Sequence, residues 1–580
     1  MIKKVFRQTV FSCICTNLAT LLCMLIDSLM ISRYLKADAM AAYSFAGPLL
    51  LIFSAVAAML SGGVQVVCGR TMGNGDREGS SCCYSSTVVL CAGIAVLFTA
   101  AVLIFRAPIC TLLGAGRPGD KVYELTKDYL LGILPGLPLF MVTIMMAPFV
   151  MMSGKRKLVL MTVLSMTAAD IILDTLNALV LKGGMLGMGL ASAIGYLVAF
   201  CFIIRFMLDK NLTLKLSLKK VRPKMWKDTM MAGLPAVVGQ ISLVAMTYGM
   251  NALLSGLKGT VAVAAYSVIS TVGNFCYALG GGIGAVTLML SSVLYGEKNR
   301  EGLRTVMGCA VRHGLMISLP VAAAVALASS LLTRLFIPDG GELADVTRLG
   351  IKLFVICIPF STLNASVKSY ATGVNRAGIS QMISVLQNFL MPMAFALLLS
   401  RKGVSIVWLC FALGEAMTMM LYALYVRIRF RSVKKQRFLL LPERFGPEKD
   451  RILDADIEDI REVCGLSERI RAFAREKGDK PETAMLMGLC AEEILNNILS
   501  HGCRAGRSPR VEVRFVSDEK ESLLRFRDNA GRFDPVEYAN MHRDDDPAAH
   551  IGLRMVMRIA EDVRYVDSMG LNNLTIKVSK

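Results

Sequence analysis

Apolar segments long enough to cross a lipid bilayer occupy most of the chain up to about residue 430. A membrane helix needs about 20 consecutive apolar residues. Stretches of this kind lie near 9–33, 42–68, 84–105, 127–152, 158–181, 186–208, 229–256, 262–292, 306–333, 350–372, 378–400 and 404–428. The pattern predicts about twelve membrane helices, and a mean hydropathy of +0.54 excludes an ordinary soluble protein.

Charged residues are sparse up to about residue 430 and dense beyond it, which marks a domain boundary. We therefore predict a polytopic all-α membrane domain over 1–430, with halves of about 1–210 and 220–430, and a second domain over 431–580. The net charge of +20 arises largely from Lys and Arg in short loops. Such loops indicate the cytosolic side of a membrane and not nucleic-acid binding, and an even number of spans places both termini there.

An internal repeat supports two halves of about six helices each. Ala41-Ala42-Tyr43-Ser44 recurs as Ala264-Ala265-Tyr266-Ser267, and the loop at 73–79 recurs at 296–302 with the same offset. Parallel repeats of this kind occur in transporters that bind substrate between their halves, near the middle of the bilayer.

Several short motifs then resemble the multidrug-exporter family known as MATE transporters, of the MOP superfamily. The resemblance covers about residues 5–430. It rests on Asp27-Ser28, Arg33-Tyr34-Leu35, Ala37-Asp38-Ala39, Gly75-Asp76-Arg77-Glu78, the segment from Asp170 to Asp174, Gly233-Leu234-Pro235 and Glu415. It implies an antiporter that exchanges an organic, drug-like substrate for a proton or sodium ion, in a bacterial cytoplasmic (inner) membrane.

Four acidic residues inside the predicted spans are candidates for ion coupling. An Asp at the centre of a membrane helix costs on the order of 2.5 to 3.5 kcal/mol, so a function is the default explanation. The four are Asp27, Asp170, Asp174 and Glu415. The alternative is that some of them only form hydrogen bonds between helices.

The second domain carries a polar stripe on a strongly helical stretch. Glu493, Asn497 and His501 recur every four residues and share one face. An Asn oxygen suits Mg²⁺, and a Glu can polarise a hydroxyl or water near phosphates. Upstream, residues 456–477 predict an amphipathic helix.

A β-hairpin is predicted from the alternating segments 510–516 and 521–527, and it ends at Asp528. An Asp at a strand end can accept a hydrogen bond from the amine of adenine, and Gly531 permits close approach of the base. The Asp-rich segment 543–549 is a lid candidate. Gly552 opens a predicted helix over 553–562, whose N-terminal amides suit phosphates.

These motifs resemble, in order and spacing, those of the GHKL ATPases, particularly the anti-sigma-factor serine kinases. The resemblance implies an α+β sandwich of the Bergerat ATP-binding fold that binds ATP and Mg²⁺. It assigns Glu493 as general base, Asn497 as Mg²⁺ ligand, Asp528 as the adenine reader, and Asn529, Gly531, Gly552 and Thr575 to the nucleotide region. Ala530 and His550 replace two glycines of the family pattern, which favours binding over turnover.

Two functions remain in competition. The first is an ion-driven transporter, embedded in lipid, with an ATP-binding regulatory domain. The second is a membrane-tethered serine kinase or anti-sigma-like switch that acts on a cytosolic protein partner and uses the transporter fold as a sensor. Whether ATP is hydrolysed, transferred to a protein or only bound is left open, and the sequence lacks the Gly-x-x-x-x-Gly-Lys-Ser/Thr motif of ABC-type pumps.

Overall fold

The computed structural model describes residues 1–209, 214–338, 340–431, 437–442, 444–502, 509–541 and 551–579. Within these ranges, eleven helices are long and apolar enough to span a membrane. They are α1 (Ile2–Leu35), α2 (Asp38–Gly73), α3 (Arg77–Ile104), α4 (Lys121–Met152), α5 (Arg156–Leu181), α6 (Gly184–Met207), α7 (Pro223–Gly296), α8 (Arg300–Leu327), α9 (Glu342–Gly373), α10 (Ala377–Ser400) and α11 (Val404–Arg429).

Helix α7 consists of two spans. Its 74 residues leave helical geometry at Lys258 and Gly259, and Gly259 has a φ of 58° with a ψ of −138°. A glycine adopts this conformation at little steric cost, so the chain can turn between two arms. Counting the arms separately gives twelve spans in the described part of the chain, as predicted.

The two halves meet where α2 packs against α7. A Cβ added at Gly63 would overlap the Thr229 carbonyl, and one at Gly73 would overlap the Val293 carbonyl. Close backbone contact therefore joins the halves at the end that carries the loops 73–77, 152–155, 296–301 and 374–376. We call this end the docking end. Two short helices, Arg106–Leu112 and Ser329–Phe336, occupy equivalent places in the two halves.

The second domain is a five-stranded antiparallel sheet with helices on one face. The strands are β1 (Ile452–Ile457), β2 (Val511–Ser517), β3 (Glu521–Asp528), β4 (Asp562–Ser568) and β5 (Leu571–Ser579), in the order β1-β2-β3-β5-β4. The helices are α12 (Val463–Glu476), α13 (Pro481–His501), α14 (Pro535–Met541) and α15 (Ile551–Ile559). This is the predicted α+β sandwich.

The two faces of this sheet differ because side chains alternate along each strand. Phe515 and Phe526 point to the helices and are fully buried in the domain core, together with Ile470 and Leu495. The opposite face, which we call the outer face, carries Arg514, Arg525 and Arg527, with Arg514 directly opposite Arg525. The outer face is therefore polar, yet the side chain of Arg527 is only 5% exposed.

Two sequence predictions in this domain were wrong in their extent. The helix predicted over 553–562 covers Ile551–Ile559, and Asp562 begins β4. The helix expected over 456–477 begins at Val463, and residues 452–457 form the edge strand β1. Strand pairing takes precedence there because Asp454 lies opposite Arg514 and pairs with it at 2.7 Å, and Asp456 pairs with Arg510 at 2.6 Å. The predicted hairpin at 510–527 is confirmed as β2 and β3.

Candidate functional site

Three of the four predicted membrane acids lie together in the first half. Asp27 on α1 and Asp170 on α5 approach Cys23, and one ligand atom from each of these three residues lies within 4.8 Å of the others. The Cys23 thiol donates a hydrogen bond to Asp170 Oδ2 at 2.9 Å. Asp174 lies one turn further along α5 and is 1% exposed. We call Asp27, Asp170 and Asp174 the acid cluster.

Most oxygens of the acid cluster lack a donor. Among the described residues, Asp27 Oδ1, Asp170 Oδ1 and both oxygens of Asp174 are buried without a hydrogen-bond partner. Burying an unpaired carboxylate costs several kcal/mol or more, so three neighbouring carboxylates cannot all remain ionised and dry. Such a group requires shared protons or a bound cation, which is the chemistry of an ion-coupling site.

Glu415 is held in a different way, in the second half. Asn364 donates to Glu415 Oε2 at 2.7 Å and Gln387 donates to Oε1 at 3.1 Å. The side chain is 3% exposed and satisfied by these amides. The structure therefore does not bring Glu415 into the acid cluster, although it stays a candidate for a separate role.

Asp528, the residue predicted to bind the amine of adenine, is the last residue of strand β3. Asp528 is 4% exposed, and its Oδ1 accepts hydrogen bonds from the Ala530 amide at 2.9 Å and from Asn572 Nδ2 at 2.7 Å. Its other oxygen, Oδ2, takes part in neither bond. Burial raises the pKa of Asp528, while Asn572 and the Ala530 amide act in the opposite direction. The turn thus holds one carboxylate oxygen in place, and the second accepts no hydrogen bond from the residues that the structure describes.

The other nucleotide motifs lie against this turn. A Cβ added at Gly552 would overlap the carboxylate of Glu493, so the start of α15 touches the predicted general base on α13. At the end of α13, a Cβ added at Gly502 would lie 2.8 Å from the Cβ of Ala530. Glu493 and Asn497 are both half-buried on one face of α13. The three motifs that are distant in sequence therefore converge in space.

Two residues that were predicted to contact the nucleotide, Asn529 and Thr575, make other contacts in the structure. The Asn529 side chain accepts a hydrogen bond from the Arg510 amide at 2.8 Å and thereby ties β3 to the start of β2. Thr575 pairs with Arg525 across the sheet, whereas Asn572 pairs with Asp528. Because sides alternate along β5, Thr575 faces away from Asp528. The lid candidate 543–549 and His550 lie outside the described residues.

Sequence reasoning missed Asn572 and Tyr565. The Tyr565 hydroxyl donates to Asn572 Oδ1 at 2.6 Å, and Asn572 Nδ2 also reaches the Gly531 carbonyl at 3.1 Å. This chain of hydrogen bonds fixes the orientation of the Asn572 amide. The Nδ2 group of Asn572 is therefore held as a donor to Asp528. Asn572 could have been found from the strand register that places it opposite Asp528. This register can be worked out only when it is known that β3 and β5 are neighbours.

Asp567 is a half-buried acid beside the nucleotide turn. It pairs with Asn572 across β4 and β5, and its Oδ1 is buried without a partner in the described part of the chain. Burial raises the pKa of Asp567 to about 6, although Arg532 and Lys155 oppose this rise. In the folded domain the protonated form therefore persists to a higher pH than in the unfolded chain.

We expect Asp567→Asn to remove a pH dependence of stability. A folded pKa above the ordinary carboxyl value of 3.8 means that the contribution of Asp567 is complete below about pH 4 and is lost as the pH rises through 6. The loss should be about 1 to 2 kcal/mol, after allowance for solvent screening. Calorimetric Tm values of the full protein between pH 4 and 7 provide the measurement. Asp562→Asn, on the same strand, should keep the wild-type profile, and an unchanged profile in Asp567→Asn would contradict the assignment.

Comparison with known proteins agrees with both parts of the molecule. The MatE family model matches residues 13–176 and 235–398, and a model described as a histidine kinase-like ATPase domain matches residues 453–578. The serine/threonine-protein kinase BtrW of Bordetella bronchiseptica is 31% identical over 93 residues, or 15% of this chain. The chain spans 65% of that relative's length.

Solved transporter structures share the fold of the membrane domain. A MATE protein in complex with MaL6 has a TM-score of 0.69 at 21% identity, and a MOP superfamily transporter from Pyrococcus furiosus has 0.69 at 20%. Each match covers 75% of this chain and 97% of the other. Identities at this level show the fold alone. Since the family model covers more than half of its residues, the chain belongs to the MatE family, and its C-terminal part is a histidine kinase-like ATPase domain.

Proposed function

We propose that this protein is a secondary exporter that expels organic, drug-like molecules in exchange for protons or sodium ions. The observation that carries the proposal is the acid cluster, with buried carboxylate oxygens that lack donors. Uptake of a proton or cation there relieves the repulsion between Asp27, Asp170 and Asp174. Release of that ion restores the repulsion, so the acid cluster has two states of different charge. A transporter with two conformations responds to any ligand that prefers one of them.

The second part of the proposal is that the C-terminal domain binds Mg·ATP and regulates transport. The Oδ2 of Asp528 supports this, because it accepts no hydrogen bond from the described residues and suits the amine of adenine. So does Gly552, because the absence of a Cβ lets the start of α15 lie directly against the Glu493 carboxylate. Asn497 would hold Mg²⁺, and Glu493 would polarise a hydroxyl or water. Bound ATP supplies a phosphoryl group that can be transferred.

The orientation that we propose places the docking end in the cytosol of a bacterial cell. The Lys- and Arg-rich loops lie at this end and in the connection to the C-terminal domain, as cytoplasmic loops do. This arrangement puts the nucleotide site where ATP is available, and it puts the acid cluster within the bilayer.

A second candidate function is a membrane-tethered protein serine kinase. The observation in its favour is the likeness of the C-terminal domain to a serine/threonine-protein kinase. In this case the membrane domain senses a ligand, and a cytosolic protein receives the phosphoryl group. The two functions differ in what drives substrate movement and in what happens to ATP.

One experiment separates them by using the full protein in proteoliposomes. If the first proposal holds, a pH or sodium gradient alone drives drug movement, and Glu493→Ala leaves this movement within about twofold of wild type. If the protein is a kinase, labelled phosphate from ATP enters a protein serine, and Glu493→Ala lowers the incorporation by roughly 100-fold or more, as expected when a general base is lost. Glu492→Ala is the matched control, since Glu492 faces Arg471 at 3.6 Å and not Gly552. Drug movement that requires ATP contradicts the exporter proposal.

A further inference from the structure

The C-terminal domain sits on the docking end and contacts both halves of the transporter there. Its contacts fall on the loops that the internal repeat relates to each other, 73–77 in the first half and 296–301 in the second. Each loop follows the helix arm that packs against the other half, α2 or α7. The same surface that holds the halves together is thus the surface on which the nucleotide-binding domain rests.

The loop of the first half is held by the end of the domain that carries the nucleotide motifs. Arg77 Nη1 pairs with Asp534 Oδ2 at 2.6 Å, and Arg564 Nη1 donates to the Asn74 carbonyl at 3.3 Å. Gly75 has a φ of 73°, and a Cβ added there would lie 3.2 Å from Arg564. The loop and the domain are therefore in close contact and not merely adjacent.

The loop of the second half is held by the outer face of the sheet. The Glu297 carboxylate pairs with Arg527 and, at 3.4 Å, with Arg525. The three side chains are 3%, 5% and 13% exposed. Burial by itself raises the pKa of Glu297, but Arg527 and Arg525 outweigh it, and the pKa lies below its ordinary value. A paired, buried carboxylate of this kind fixes orientation, since removing one partner leaves the other uncompensated.

A second pair of repeat-related loops adds to the contact. In the first half, the Met152 carbonyl accepts a hydrogen bond from the Met569 amide, and Gly154 lies against Gly570 in the β4–β5 turn. In the second half, Arg376 Nε donates to the Leu440 carbonyl at 3.1 Å, in the segment that leads to the domain. All four loops of the docking end are thus engaged.

The halves themselves touch directly beneath these loops. Ser292 Oγ on α7 donates to the Gln65 carbonyl on α2 at 2.6 Å, and Arg70 Nη2 reaches Asn375 Oδ1 at 3.0 Å. A Cβ added at Gly296 would overlap the Arg70 carbonyl. The docking end is closed in this conformation, and opening it requires the loops 73–77 and 296–301 to separate.

The nucleotide site is joined to the clamping contact by a short stretch of chain. Asp534, which pairs with Arg77, also caps α14 by accepting from the amides of Val536 at 3.0 Å and Glu537 at 3.1 Å. It follows the Asp528–Gly531 turn by three residues. A ligand that fixes this turn consequently fixes Asp534 and the ion pair to the first half.

We propose that the C-terminal domain is a nucleotide-controlled clamp, and that nucleotide binding holds the docking ends of the two halves together through the Arg77–Asp534 and Glu297–Arg525–Arg527 contacts. The clamp rests on the proposed nucleotide binding. It requires no energy from hydrolysis, because a ligand that binds one conformation more tightly shifts the population toward it.

The test measures hydrogen–deuterium exchange of the full protein in lipid nanodiscs, with and without Mg²⁺ and adenylyl imidodiphosphate. We expect the nucleotide to slow amide exchange at least fivefold in peptides that cover 63–77 and 288–301, in line with ordinary allosteric coupling. In Arg77→Ala this slowing should fall to less than twofold, while the Kd for nucleotide stays within threefold. Glu342→Gln, which breaks an exposed ion pair with Lys258 outside the docking end, is the control and should behave as wild type.

The outcomes distinguish a failure of the clamp from a failure of nucleotide binding. If the nucleotide binds but exchange in these peptides does not change, or if Arg77→Ala retains the full slowing, the clamp is overturned and nucleotide binding stands. If the wild-type protein binds no nucleotide, both fail. Arg77 is one third exposed, so its replacement is compatible with folding, and Arg77→Gln provides a second variant with the same expected loss.

Discussion

Replacing Asp528 with asparagine is expected to weaken the binding of ATP to the full protein by about 100-fold. A hydrogen bond to a charged group contributes about 1.5 to 3 kcal/mol, and each 1.4 kcal/mol corresponds to tenfold in affinity. The substitution replaces a carboxylate oxygen by an amide that can present a donor to the adenine amine. It also disturbs the bonds that Oδ1 accepts from Ala530 and Asn572.

The measurement is a titration with a fluorescent ATP analogue, with Asp518→Asn as the matched control. Asp518 lies in the β2–β3 turn, where its carboxylate accepts from the Glu519 amide. It is an acid of the same domain at the opposite end of β3 from Asp528. Binding of ATP to Asp528→Asn within threefold of wild type would show that adenine is recognised elsewhere.

Replacing Asp27 with asparagine is expected to abolish gradient-driven efflux, with a fall of about 100-fold in rate. The asparagine cannot take up or release a proton, so the charge that α1 contributes to the acid cluster no longer differs between the two states. An ion that no longer distinguishes two conformations cannot shift their populations. Efflux from proteoliposomes under an imposed pH or sodium gradient checks this outcome.

The control for this variant is Asp228→Asn, at an exposed acid near the start of α7. It removes the same charge from the same protein without touching the acid cluster. We also expect downhill movement of substrate without an ion gradient to survive in Asp27→Asn, because the substrate path remains. Gradient-driven efflux by Asp27→Asn at more than half the wild-type rate would exclude Asp27 as a coupling residue.

Local signals in the sequence predicted much of the fold. The length of the apolar stretches was sufficient for twelve spans, and the alternation at 510–527 was sufficient for the β2–β3 hairpin. The break at Lys258 and Gly259 was anticipated as the end of one span and the start of the next. The edge strand β1 was not, because six residues with two acids give a weak strand pattern, and only pairing with β2 makes it favourable.

The candidate sites depend on contacts that no local pattern encodes. Asp27 and Asp170 were each recognisable as costly membrane acids, but their meeting beside Cys23 results from the packing of α1 against α5. Asn572 could not be recognised as a partner of Asp528 before the strand register was known. Likewise, the repeat predicted that 73–79 and 296–302 correspond, yet it contained nothing about the domain that rests on both.

The repeat also has a consequence for how the C-terminal domain is oriented. Two related halves form a nearly twofold-symmetric platform, on which a domain has two ways to sit, half a turn apart. Symmetry is broken at three adjacent positions, because Asn74, Gly75 and Asp76 in the first loop correspond to Glu297, Lys298 and Asn299 in the second. In the reversed placement, Arg525 and Arg527 would be buried against a neutral amide, which is strongly unfavourable. The pairing of Glu297 with Arg525 and Arg527 therefore favours one placement, in which the end of the domain that carries the nucleotide motifs contacts the half that contains the acid cluster.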